Sequence, residues 1–173
     1  LEFRRVLFRS CPNIDGGSVT IKAPEENTLI YDGSNKKAIL ENKLLTGEKD
    51  PTISYTVGNG QGATLPDGSY PTNVGAYTAS ITVGGVTASV TYEIQKADPA
   101  AKNFVFTAPG SLTYDGMAKT ADIKTATNIT GMGDVMVKYY QGETEVQPMN
   151  AGEYKVKISV AYGSNFNAAS DLT

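Results

Sequence analysis

The clearest pattern along the chain is a strict alternation of apolar and polar side chains near its end. Over residues 154–162 every second residue is tyrosine, valine or isoleucine, and the residues between are lysine, serine or alanine. A period of two residues predicts a β-strand with one buried face. Residues 77–83 alternate in the same way, and Gly84-Gly85 then predicts a two-residue hairpin loop. A return strand is predicted from Val90, Tyr92 and Ile94.

Shorter runs of β-branched and aromatic residues predict further strands. They read SVTIKA, TLIY, TISYTV, NFVFTA and VMVKYY. Only KKAILENKLL (residues 36–45) competes as a helix, and it is short and lacks an N-cap residue. Many short strands separated by turn residues predict an all-β fold built from antiparallel β-sandwiches.

Two blocks of sequence occur twice, in the same order. LIYDGSNKKA matches LTYDGMAKTA 83 residues later, and PTNVGAYTASITV matches PMNAGEYKVKISV 77 residues later. The extra six residues of the first copy fit the loop-like segment GNGQGATLPDGSY. The repeat predicts two domains, at residues 11–97 and 98–173, with a stiff connector around Asp98-Pro99.

The second copy ends before a counterpart of the first copy's return strand, so we expect this domain to be truncated at its C-terminus. A missing strand leaves backbone groups unpaired and part of the core uncovered. We therefore predict that amide hydrogen exchange is faster in the second copy than in the first, and equal protection would contradict this.

The first ten residues differ from the rest of the chain. LEFRRVLFRS contains all three arginines, whereas residues 11–173 use only lysine. A common sequencing-library adapter, CTG GAG TTC AGA CGT GTG CTC TTC CGA TCT, translates to this peptide letter for letter. We therefore expect residues 1–10 to be an artefactual adapter translation and exclude them from the fold.

Composition narrows the possible chemistry. The chain has no histidine and a single cysteine, Cys11, so the commonest general base, an internal disulfide and Cys-pair metal sites are excluded. Without residues 1–10 the net charge falls from −3 to −5, which argues against nucleic-acid partners. No apolar run is long enough to insert into a membrane. We expect no enzyme activity and no cofactor.

The two repeated blocks predict two kinds of turn. In Tyr-Asp-Gly, the aspartate side chain can accept a hydrogen bond from the backbone and the glycine can adopt positive φ. In Pro-x-Asn-x-Gly-x-Tyr, the turn delivers a tyrosine into a core strand, where its hydroxyl can reach a backbone carbonyl. We predict a structural role for fourteen residues: Tyr31, Asp32, Gly33, Pro71, Asn73, Gly75, Tyr77, Tyr114, Asp115, Gly116, Pro148, Asn150, Gly152 and Tyr154.

Calcium binding is the sharper alternative for the aspartates beside glycines, which are Asp32, Asp67, Asp115 and Asp134. Calcium needs six to eight oxygen ligands that converge on one point. These residues are scattered, and none lies in the D-x-D-x-D-G spacing of an EF-hand. We expect no metal site.

The motif order resembles one known family. Tyr-Asp-Gly with a following Lys and Ala, then Pro-x-Asn-x-Gly-x-Tyr, then YEIQKA is similar to the bacterial Ig-like repeats of the MBG or YDG type. The resemblance covers residues 18–97 and about 101–173. It implies tandem Ig-like β-sandwich domains in an adhesin-like protein that is secreted or attached to the bacterial cell wall, with neighbouring repeats as partners and no catalytic residues.

Two functions follow from this resemblance. The first is a structural spacer that holds another domain away from the cell. The second makes the repeats themselves a binder of glycan or host protein, through tyrosines exposed on one face. Tyr70, Tyr139 and Tyr140 are the residues that distinguish the two, because alternation turns one of the adjacent pair outward.

Overall fold

A computed structural model describes residues 19–41, 51–83 and 85–173. The adapter-like peptide and Cys11 lie outside these ranges. Within the described residues, no helix is long and apolar enough to span a membrane. The strands there are β1 (Ile21–Lys22), β2 (Ile39–Leu40), β3 (Ser54–Val57), β4 (Gly75–Val83), β5 (Val86–Ile94), β6 (Phe104–Thr107), β7 (Asp122–Thr125), β8 (Val135–Gln141), β9 (Thr144–Glu145), β10 (Lys155–Val160) and β11 (Ala169–Leu172), with 3₁₀ turns at Glu26–Thr28 and Ala101–Asn103.

The chain forms two compact units. Unit 1 contains Asn35–Pro71, Gly75–Ile94 and the chain up to Leu29. Unit 2 contains Gln95–Thr173, together with Ile30–Ser34 and Thr72–Val74. The main division thus falls just before the connector at Asp98. The two short segments come from the first repeat of the sequence but belong to unit 2, and they contain parts of both repeated motifs.

Unit 1 is built from a two-stranded sheet, β1-β2, and a three-stranded sheet, β3-β4-β5, both antiparallel. The hairpin of β4 and β5 runs in unbroken register from Gly75 opposite Ile94 to Val83 opposite Val86. The alternation of residues 77–83 places one face of β4 in the core. Its buried apolar side chains are Ile21, Ala38, Tyr55, Tyr77, Ala79, Ile81, Val83, Tyr92 and Ile94.

Unit 2 repeats the design with a two-stranded sheet, β6-β7, and a four-stranded sheet in the order β11-β10-β8-β9. Its strand pairs are antiparallel as well. Phe104, Ile158 and Val160 form the buried centre, and four partly buried side chains pack on them: Ile123, Met132, Val135 and Leu172. The fold is therefore all-β and of the antiparallel sandwich class, as the sequence pattern predicts.

The position beside β10 differs from the sequence-based expectation. We expected no strand there, but β11 occupies it and pairs Leu172 with Ile158 and Ala169 with Val160. The corresponding strand of unit 1, β5, has nine residues against four in β11. The run ASDL has no regular apolar alternation, and Asp171 has a φ of 57°, so the pattern alone does not indicate a strand.

The buried tyrosines of unit 1 predict sensitivity to alkaline pH. Burial raises the pKa values of Tyr55, Tyr77 and Tyr92 above the ordinary 10.0, most strongly for Tyr92. The unfolded chain therefore releases protons first as pH rises. The free energy of unfolding should be constant below about pH 9 and then fall, by up to about 1.4 kcal/mol per pH unit for each tyrosine that ionises on unfolding.

Urea denaturation between pH 8 and 12, with tyrosinate absorbance recorded in parallel, measures this fall. Tyr92→Phe is the matched variant because it cannot ionise, so its stability should decline less steeply than that of the wild type. Parallel declines in the two proteins would contradict the prediction.

Candidate functional site at the Tyr-Asp-Gly corners

The Tyr-Asp-Gly motif forms the same turn at both positions. The Oδ1 atom of Asp32 accepts hydrogen bonds from the backbone N–H of Ser34 at 2.8 Å and from its hydroxyl at 2.6 Å. In the second copy, Asp115 Oδ1 accepts the N–H of Met117 at 2.9 Å. The glycines that follow have φ values of 79° and 76°. Aspartate thus closes each turn, and glycine supplies its left-handed residue.

The second motif is held beside the first in each copy. In unit 1, the N–H of Lys36 donates to the carbonyl of Pro71 at 2.8 Å, and in unit 2 Lys119 donates to Pro148 at the same distance. The hydroxyl of Tyr154 donates to the carbonyl of Asn150 at 2.6 Å, which closes this turn from within. The two turns of each repeat therefore form one hydrogen-bonded frame.

The two Tyr-Asp-Gly corners differ in burial. Tyr31 is 3% exposed, and its ring packs edge-on against Phe166 in unit 2, with 5.3 Å between ring centroids. Its hydroxyl lies 3.1 Å from Thr130 Oγ1 and also accepts the N–H of Thr130 at 3.1 Å. Tyr114, the equivalent residue, is 65% exposed, and Leu112 and Met117 beside it are exposed too. One corner is packed, and the other presents its tyrosine to solvent.

A buried asparagine connects three segments of unit 2. Asn165 is 3% exposed, and its Oδ1 accepts the N–H of Val74 at 3.0 Å. Its Nδ2 donates to Asn73 Oδ1 at 3.0 Å and to the Thr130 carbonyl at 3.2 Å. All the hydrogen-bonding capacity of this amide except one acceptor site is used. Asn73 of the Pro-x-Asn-x-Gly motif is thereby fixed to the segment that also holds Tyr31.

The two glycines of the motif give a matched pair of substitutions. A Cβ added at Gly33 would lie 2.7 Å from the carbonyl oxygen of Asn128, whereas one at Gly116 meets no atom within 4 Å. Both need positive φ, so alanine costs about 1 kcal/mol in backbone strain at either position. Gly33→Ala carries the additional clash and should lower the melting temperature of unit 2 clearly more than Gly116→Ala. Equal losses would contradict the packing of the first corner.

Charges near the corners are paired on the surface. Lys119 Nζ lies 2.5 Å from Asp115 Oδ2, and this bond, with the N–H of Met117, holds the pKa of Asp115 below its usual value. Across the described ranges, no group of three or more Cys, Asp and Glu side chains is arranged to hold a metal ion. Asp32 and Asp115 bind backbone and side-chain donors of their own turns.

The tyrosines proposed as a binding face are each partly covered. Lys37 Nζ lies 4.0 Å from the centre of the Tyr70 ring, and Lys157 Nζ lies 4.7 Å from that of Tyr140. The hydroxyl of Tyr139 accepts the N–H of Ala121 at 2.8 Å. Among the tyrosines of the described residues, the most exposed are instead Tyr114 and Tyr162, at 65% and 74%.

Sequence reasoning missed the residues that cover the first corner. Thr130, Asn165 and Phe166 lie outside both repeated blocks, and no periodic pattern marks them. The structure brings them to Tyr31, Asn73 and Val74 within unit 2. No family model matches the chain, and no curated protein and no solved structure matches it either.

Proposed function

We propose that this chain is a non-catalytic spacer, made of tandem Ig-like repeats of a bacterial protein that is secreted or displayed on the cell surface. The motif order of the MBG or YDG type supports this assignment. So does the use of both repeated motifs for turn formation, since each motif residue with a described hydrogen bond serves the fold. The partners of each repeat are its neighbours in the array.

The observation that carries the proposal is the different burial of two identical tripeptides. Tyr31 is packed by residues that follow it by about one repeat, Thr130 and Phe166. Tyr114 has the same local turn but an exposed ring. In a longer array, the counterparts of Thr130 and Phe166 in a third repeat would pack on Tyr114. Each corner would then be a joint, which is what a spacer requires of a repeated motif.

An extended chain tests this directly. Leu172 lies level with Ala88, because both pair with equivalent residues of β10 and β4, Ile158 and Ile81. Repeating residues 89–173 after Leu172 therefore adds a return strand in register, a connector and a third repeat. In the extended chain, Tyr114→Ala should cost about 3–5 kcal/mol of stability, as burial of an aromatic ring implies. In the existing chain it should cost less than about 0.5 kcal/mol. A small effect in both chains would overturn the proposal.

A second candidate function rests on the two exposed tyrosines. Exposed aromatic rings serve as stacking surfaces, so Tyr114 and Tyr162 could take part in binding glycan or host protein. A glycan array and a panel of immobilised extracellular-matrix proteins test this function. Saturable binding that Tyr114→Ala or Tyr162→Ala abolishes would favour the binder, and absence of saturable binding favours the spacer.

A further inference from the structure

Unit 2 has a groove of about 400 Å³ at the end of its larger sheet. The side chains that line it and matter here are Lys119, Ala121, Tyr139, Pro148, Tyr154 and Val156. We call this cavity the unit 2 groove. All six residues have a counterpart in the first repeat, so the unit 2 groove can be compared residue by residue with a filled site in unit 1.

The frame around the two sites is the same. In unit 1, the N–H of Ala38 donates to the hydroxyl of Tyr55 at 3.2 Å, and in unit 2 that of Ala121 donates to Tyr139 at 2.8 Å. The bonds from Lys36 to Pro71 and from Lys119 to Pro148 repeat at 2.8 Å. The walls of the unit 2 groove are therefore built by the same hydrogen bonds as their counterparts in unit 1.

In unit 1 this site is filled by the strand β5. Tyr92 is 6% exposed and donates its hydroxyl to the carbonyl of Lys36 at 2.6 Å, and its ring lies 6.3 Å from that of Tyr77. Ile94, two residues further on, is fully buried. The counterparts of Lys36 and Tyr77 are Lys119 and Tyr154, and both line the unit 2 groove. The neighbours of Tyr92 are thus present in unit 2 around an open space.

The backbone beside the groove is also partly unmatched. In unit 1, β5 pairs with β4 along the whole of β4, from Gly75 to Val83. In unit 2, β11 pairs with β10 only at Ile158 and Val160. Among the described residues, 155–157 of β10 therefore pair with β8 alone. An added strand gains affinity from such an edge and specificity from pockets for alternate side chains.

We propose that the unit 2 groove is an acceptor site for an extended segment from another repeat of this type, with the Val-x-Tyr-x-Ile pattern of β5. The segment adds to β10 beyond Leu172. Its tyrosine lies between Tyr139 and Tyr154 and donates its hydroxyl to the carbonyl of Lys119, and its isoleucine covers the end of the core. This proposal does not depend on the spacer role, because it concerns the shape of one site and not the purpose of the array.

A synthetic peptide tests the proposal on the chain as it exists. The probe is the capped peptide SVTYEIQKA, which is residues 89–97, and the control replaces its tyrosine and isoleucine (Tyr92→Ser, Ile94→Ser). The probe should bind saturably at one site and raise the melting temperature of unit 2. The control should bind at least about tenfold more weakly, because it lacks both side chains that the groove takes.

Amide chemical shifts locate the bound peptide. Saturable changes at Lys119, Tyr139 and Val156 support the proposal. Changes confined to Lys36, Tyr55 and Tyr77 would indicate exchange with β5 in unit 1 and would overturn it. No saturable binding, or equal binding of probe and control, would overturn it as well. A dimer of the chain that the peptide does not dissociate would show a second copy on the groove, with the same consequence.

Discussion

Tyr31→Ala is expected to lower the free energy of unfolding of unit 2 by about 3–5 kcal/mol, whereas Tyr114→Ala should change it by less than about 0.5 kcal/mol. Both substitutions remove the same side chain from the same tripeptide. They differ because Tyr31 is 3% exposed against Phe166, and Tyr114 is 65% exposed. Removing the buried ring leaves a cavity that the surrounding sandwich fills only in part.

Native-state hydrogen exchange provides a measurement specific to unit 2. The amides of Phe104 and Ile158 lie in its buried centre, so their protection reports its opening. Tyr31→Phe separates the hydroxyl from the ring. It removes only the hydrogen bonds to Thr130, and we expect a loss of about 1 kcal/mol. Equal losses in the two alanine variants would show that Tyr31 adds no packing to unit 2.

The architecture could be predicted from local patterns. The alternation of residues 77–83 and the repeated blocks indicate the strands β4 and β10, because a strand with one buried face needs apolar side chains at every second position. Asp32 and Gly33 indicate a turn because the required chemistry lies within three residues. Such features depend on neighbours in sequence, so one copy suffices to recognise them.

Burial of the corners could not be predicted in this way. Tyr31 and Tyr114 lie in almost identical local sequence, and their exposure differs because one of them meets Thr130 and Phe166. Those partners are about 100 residues away, in segments without periodicity. The short strand β11 was missed for a related reason. Its pairing with Ile158 and Val160 comes from the neighbouring strand, and not from its own composition.

Hidden tyrosines support the spacer proposal more than the binder proposal. Tyr55, Tyr77 and Tyr92 lie in the core of unit 1, and Tyr92 also fixes the carbonyl of Lys36. In this protein, tyrosine therefore joins strands to turns, with its ring in the core and its hydroxyl on the backbone. A glycan site needs several rings open on one face, which is a different use of the same residue.

Asn165→Asp should destabilise unit 2 by about 3–5 kcal/mol at neutral pH, although the two side chains have nearly the same shape. The substitution replaces the donor at Nδ2 with a carboxylate oxygen that faces the Thr130 carbonyl at 3.2 Å. The position is 3% exposed, so the new charge is buried beside an acceptor. A buried charge without a partner carries a penalty of this size.

The pH dependence of this loss distinguishes charge from a change in packing. Burial raises the pKa of a carboxyl group, so the carboxyl group that the substitution introduces should bind a proton more readily in the folded protein than in the unfolded chain. Its neutral form can donate a hydrogen bond to Thr130 again. The deficit relative to the wild type should therefore shrink as pH falls from 7 toward 4, measured by urea denaturation at each pH. Asn150→Asp makes the same chemical change at an exposed position, and we expect a loss below about 0.5 kcal/mol at every pH. A deficit for Asn165→Asp that stayed constant with pH would indicate that shape, and not the hydrogen bonds of the amide, holds Tyr31 and Asn73 in unit 2.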